Sequence, residues 1–180
     1  SRGRTGTELV VYSNSVAGDV YYVGVKSEDQ MAAEYAFLAV FSRDPFSLRD
    51  GNGNLIVPGI PIPTTVPDGS PADPGVALVL GLAIESVPIR RVVVATNAYI
   101  HETPGDLIGT LIHGERFAVL NNHRGGAANV VQSYIYEDNE EGDIPFATRS
   151  DGPGDLRDFV GEQGLGVWLF AMTDDSLSAT

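Results

Sequence analysis

The sequence contains no cysteine among its 180 residues, which excludes disulfide bonds and thiol chemistry. It has one tryptophan and no run of 18 apolar residues of the kind that crosses a membrane as a helix. Basic residues are scarce, because 11 Lys and Arg stand against 24 Asp and Glu and give a formal net charge of −13. This balance opposes binding to nucleic acid and to anionic lipid. The chain therefore reads as an acidic protein that folds without covalent cross-links.

Catalytic motifs are also missing. There is no Gly-x-Ser-x-Gly elbow and no His-Glu-x-x-His zinc motif. The three histidines, His101, His113 and His123, lie in or beside predicted turns, where we expect them to hydrogen-bond the local chain. His101 in particular adjoins the turn at Gly105-Asp106-Leu107 and is expected to hydrogen-bond that turn or Asp106. We therefore predict no catalytic residue and no enzyme activity.

Glycine and proline are abundant, at 21 and 11 residues, and their short clusters favour many turns and few long helices. The chain opens Ser-Arg-Gly-Arg without a methionine, so we expect it to be cut from a longer precursor. Residues 1–43 are predicted to form a three-strand β-meander over 8–13, 19–27 and 34–42, because apolar residues recur at every second position. Residues 44–75 hold six of the 11 prolines between Pro45 and Pro71 and are predicted to form a connection.

Residues 76–180 are predicted to form the main β-sandwich. Successive strands of its main sheet are expected at 76–85 and 88–100, followed by strands at 107–112, 116–120 and 132–136. Trp168 is expected to be buried between the sheets. The strand at Thr7–Tyr12 has three possible partners: its own domain, a missing upstream half-module, or a neighbouring molecule by strand addition.

Two stretches carry a resemblance to a known family. His101 followed by Gly105-Asp106-Leu107, and later Gly166-Val167-Trp168 leading to Asp174, resemble the P domain (Homo B domain) of kexin- and furin-like proprotein convertases. The resemblance covers about residues 88–180. It implies a jelly-roll-like, galactose-binding-like antiparallel β-sandwich that is usually non-catalytic and attached to secreted or surface proteins. Residues 7–42 resemble bacterial pre-peptidase C-terminal-type modules through Tyr21-Tyr22-Val23.

Acidic residues crowd the segment from Glu137 to Glu162, which holds nine of them against two arginines. Calcium binds six to eight hard oxygens, and crowded carboxylates attract it. P domains are associated with calcium-dependent stability, so the resemblance implies calcium as the cofactor. The candidate ligands are Asp138, Glu140, Glu141, Asp143, Asp151 and Asp155; the alternative is a solvated acidic loop. Asp50-Gly51-Asn52-Gly53-Asn54 is not an EF-hand, because Pro61 stands where the bidentate glutamate belongs.

These observations predict a non-catalytic extracellular module, secreted or on the cell surface, that stabilises or displays a neighbouring domain and is stabilised by calcium. One alternative is a self-assembling subunit of a filament or surface layer linked by β-strand addition. A second is a carbohydrate-binding module, which would need tyrosines as its platform because Trp168 alternates with core positions. The predicted partners are neighbouring domains or identical subunits, with no nucleic acid and no membrane insertion.

Overall fold

The structure is a computed structural model that describes residues 9–26, 34–99, 101, 103–125 and 132–176. The chain divides into two compact units, Ser1–Pro45 and Phe46–Thr180. Most of the predicted proline-rich connection thus belongs to the second unit. Across the described segments, no helix is long and apolar enough to cross a membrane.

The first unit holds no strand in residues 9–26 and 34–45, so the predicted three-strand meander is not formed there. Its apolar side chains are largely exposed, including Val20, Tyr22 at 93% and Phe37 at 67%. Alternation of apolar residues favours a strand, but a strand also needs a hydrogen-bonded neighbour and a face to bury. The described part of this unit supplies neither to these side chains.

The second unit is all-β, as predicted, and in its described residues the helical content is confined to two short 3-10 turns at Pro104–Asp106 and Leu156–Phe159. Its strands are β1 (Leu48–Arg49), β2 (Leu55–Ile56), β3 (Gly75–Ala83), β4 (Val94–Tyr99), β5 (Leu107–His113), β6 (Arg116–Asn122), β7 (Gln132–Tyr136), β8 (Ala147–Thr148) and β9 (Gly166–Asp174).

The strands form two main sheets and one small hairpin. An antiparallel sheet has the order β3-β9-β5-β6, a second sheet has the order β4-β7-β8 with β8 parallel to β7, and β1 pairs with β2. The expectation that 76–85 and 88–100 are successive strands of one main sheet is wrong, because β3 and β4 lie in different sheets. The strand pattern does not specify which sheet a strand joins. The jelly-roll connectivity stays a prediction.

The core lies on one face of the four-stranded sheet, which we call the inner face. Leu111, Ala118, Trp168 and Phe170 of this face belong to or pack against a cluster that also contains Ile89, Leu120, Tyr136, Leu156 and Phe159. Because Val94 and Tyr136 come from the second sheet, the cluster joins the two sheets as in a β-sandwich. Trp168 is only partly buried, and its indole Nε1 donates to the carbonyl oxygen of Gly164 at 2.9 Å.

Candidate functional site

Asp138, the first candidate calcium ligand, is a buried carboxylate that ties two loops to the end of β7. It is 4% exposed. One oxygen accepts the backbone N–H of Ser150 at 3.0 Å, and the other accepts the Ser150 hydroxyl and the Leu156 backbone N–H, both at 2.7 Å. A buried carboxylate needs such donors, because burial without them is costly. Asp138 is therefore used by the fold itself.

Glu141 and Asp143 converge on one cation, Arg91, which precedes β4. Both Asp143 oxygens accept from the guanidinium, at 2.7 and 2.8 Å, while Glu141 and buried Glu137 each lie 3.2 Å from it. Hydrogen bonding from Arg91 holds the pKa of Asp143 below its usual range, and the same contact raises the pKa of Arg91. An arginine therefore occupies the position in which a divalent cation would neutralise these carboxylates.

The remaining three candidates are also paired with arginines. Glu140 contacts Arg149, and Asp151 contacts Arg124 while accepting the backbone N–H of Asn122 at 2.9 Å.

Asp155 forms a capping box at the start of the Leu156–Phe159 turn, where its side chain accepts the Arg157 N–H and Asp158 accepts the Asp155 N–H. The Arg157 hydrogen bond lowers the pKa of Asp155.

The six predicted ligands thus lie between Asp138 and Asp155, and each accepts from an arginine, a backbone N–H or the Ser150 hydroxyl. Crowding of carboxylates is the sequence signal for calcium, whereas two of the four arginines that neutralise them, Arg91 and Arg124, lie outside the acidic segment. Calcium binding stays a prediction.

A mixed cluster that sequence reasoning missed lies at the end of β9. Asp68, His101 and buried Asp174 place one ligand atom each within 4.8 Å of one another, the one such group of three found in the described ranges. A Cβ on Gly75 would overlap the carbonyl oxygen of Pro67, so glycine allows the Asp68 loop to lie against β3.

The tautomer of His101 decides what this cluster does. Its Nδ1 accepts the backbone N–H of Thr103 at 3.2 Å, so the ring proton resides on Nε2, which lies 3.3 Å from Asp174 Oδ2. An Nε2 that carries a proton is not a metal ligand. The expected bond to the turn is thus made at Thr103, and the cluster stabilises the junction of β9 with the turn before β5.

The other two histidines are likewise engaged. His113 stacks on Trp168 with ring centroids 4.1 Å apart, and its two nitrogens face the carbonyl oxygens of Val167 and Gln163 at 2.8 and 2.7 Å. His123 lies between Asn122 and Asp175, each 2.9 Å away. Beside His113 opens a cavity of about 240 Å³ whose polar wall is the ion pair Arg116–Glu162.

The opposite face of the four-stranded sheet, which we call the outer face, carries no charge at any paired position. Cross-strand partners share a face, so the register defines its members. They are Val76, Leu78, Leu80 and Leu82 of β3, Val167, Leu169, Ala171 and Thr173 of β9, Ile108, Thr110 and Ile112 of β5, and Phe117, Val119 and Asn122 of β6.

The outer face is accessible over part of its area. Val76, Leu78, Val167 and Phe117 are 47%, 53%, 43% and 47% exposed, whereas Leu82 and Val119 are buried. A sheet with one solvated face normally alternates apolar with polar residues, whereas continuous apolar strands are typical of sheets covered on both sides. In the sequence, this apolar outer face is visible as the continuous apolar runs of β3 and β9. A continuous run does not by itself show what covers the second face of the strand.

Comparison of the chain with family models, with curated proteins and with solved structures found no match. The resemblances to P domains and to pre-peptidase C-terminal modules accordingly stay predictions.

Proposed function

We propose that this chain is a non-catalytic extracellular structural module that stabilises or displays a neighbouring domain. The observation that supports this most directly is that the histidines, which are the usual general bases, already contact other groups of the protein. All six ring nitrogens of the three histidines face backbone groups or Asn and Asp side chains. A general base needs a free nitrogen within reach of a nucleophile or substrate, and these histidines offer none.

The carboxylates give the same support. Buried Asp138 has three donors, and Arg91 binds three further acids of the segment that holds nine of the chain's 24 acidic residues. These contacts join β4, β7 and the loops after β7, so they serve rigidity. Calcium remains part of the proposal as an additional stabiliser of the loops between Asp138 and Asp155.

The experiment is a deletion of residues 46–180 from the polypeptide as its natural host expresses it. Loss of a supporting module should lower the melting temperature or secreted yield of the remaining domains, because an interface that binds the folded state stabilises it. Deletion of residues 1–45 serves as the matched control. Unchanged melting and yield after removal of 46–180 would rule out the proposed function.

A filament subunit is the second candidate, and the first unit favours it. Its described segments expose Val10, Tyr12, Phe37 and Phe41 at 64–76% and contain no strand. Unpaired apolar segments of this kind add to the sheet edges of other molecules. Deletion of residues 1–13 should then convert a polymer into monomers that still fold. A full chain that remains monomeric at high concentration excludes the filament.

A further inference from the structure

We propose that the outer face of the four-stranded sheet is a self-association surface that a second copy of this chain covers with its own outer face. This inference rests on the proposed structural function and names the partner as an identical subunit. Two outer faces packed on each other would form a second sandwich interface about 10 Å thick, with a twofold axis between them.

The net negative charge of the chain restricts where two copies can contact each other. Each copy has a net charge of −13, so most contacts between two copies bring carboxylates together. The outer face carries no charged residue at any paired position on its four strands. Neutral apolar surface meeting an identical surface avoids that repulsion, which makes this face the place where two acidic copies can approach closely.

The size of the outer face limits the affinity of the proposed dimer. Four strands spaced about 4.8 Å apart, each roughly seven residues long at about 3.3 Å per residue, give a footprint of roughly 440 Å². The largest apolar patches on monomers reach about 300–600 Å² and are often functional, but a stable complex buries about 800 Å² per partner. The dimer should therefore be weak, reversible and dependent on concentration.

Salt should distinguish this association from a polar one. Screening reduces the repulsion between two negative copies, and sulfate strengthens apolar burial, so sodium sulfate should increase the dimer fraction. An interface built on ion pairs would weaken under the same conditions.

The experiment is sedimentation velocity of the full chain across a concentration series, with and without sodium sulfate. Leu78→Lys and Phe117→Lys place charges at opposite edges of the outer face, on half-exposed side chains. Leu48→Lys is the matched control, because Leu48 is 46% exposed and lies on β1 outside this face. Circular dichroism and thermal melting verify that each variant folds.

We expect a monomer–dimer equilibrium in the full chain, weakened at least tenfold by Leu78→Lys and by Phe117→Lys and unchanged by Leu48→Lys. A chain that stays monomeric at every concentration and salt level overturns the dimer. So does an association that both outer-face variants leave intact, and loss of association on deleting residues 1–13 assigns it to the filament instead. None of these outcomes affects the test of the proposed function, which measures the stability of neighbouring domains.

Discussion

Replacing Asp138 by Asn should destabilise the second unit by about 3 kcal/mol. The carboxylate accepts three hydrogen bonds, two of them on one oxygen from the Ser150 hydroxyl and the Leu156 N–H. An amide nitrogen in that position replaces the acceptor with a donor that faces two other donors. A hydrogen bond to a charged group contributes about 1.5–3 kcal/mol, and a buried donor left unpaired costs about 1–3 kcal/mol. Relief from burying a charge offsets part of the sum.

The assay is chemical unfolding at neutral pH, with thermal melting as a second measurement. A loss of about 3 kcal/mol corresponds to a fall in Tm of roughly 6–12 °C for a domain of this size. Ser150→Ala removes one of the three bonds and should cost about 1 kcal/mol. Asp143→Asn alters an exposed carboxylate bound to Arg91 and should destabilise the unit much less than Asp138→Asn, because solvent screens an exposed ion pair.

The result that refutes this reasoning is a change below about 0.5 kcal/mol in Asp138→Asn. It would mean that the carboxylate is not the tie between the end of β7 and the Leu156–Phe159 turn. A loss that appears only when calcium is present would also refute it, because it would make Asp138 a metal ligand.

Three further outcomes are expected. Burial raises the pKa of Tyr136 to about 12, so its contribution to stability is complete below pH 10 and is lost as the pH rises toward 12. In a titration followed by ultraviolet absorbance, one tyrosine should ionise at a higher pH than the others, and Tyr136→Phe should remove that step. The lowered pKa of Asp155 means that its contribution is present above the carboxyl's ordinary pKa and is lost as the pH falls through the folded value; Asp155→Ala should flatten the acid limb of the stability profile, and an unchanged limb would contradict the capping role. If calcium binds between Asp138 and Asp155, a chelator should lower the Tm and millimolar calcium restore it, whereas identical melting curves would remove calcium from the proposal.

The strands of the second unit were largely predictable from the sequence. Alternation places β5 within one residue of its observed end, and the likeness of residues 166–174 to the late strand of P domains gives the bounds of β9. Both strands form because their inner-face residues reach a core. The same alternation misleads in the first unit, where no described neighbour pairs with the chain. A local pattern reports that a segment can form a strand, and pairing decides whether it does.

The candidate site was less predictable, since its contacts join residues far apart in the chain. Arg91 neutralises Asp143 across 52 positions, and His101 meets Asp174 across more than 70. A crowded set of carboxylates predicts that positive charge lies nearby, but it does not predict which group supplies that charge. A single sequence therefore does not show which arginines lie beside these carboxylates, because that depends on the fold.

The position of β9 governs how this protein is made. β9 lies between β3 and β5, although it comes last among the described strands, and Gly75 pairs with Asp174. During synthesis about a hundred residues are added after β3 before β9, its neighbour in the sheet, leaves the ribosome. Until then both faces of β3 are apolar and the edge that pairs with β9 has no partner. The sheet can then close only through contacts of long sequence separation, which fold slowly. The nascent chain thus passes through an aggregation-prone interval that ends when Gly166–Asp174 inserts, and a protein secreted unfolded would have to complete this insertion after export.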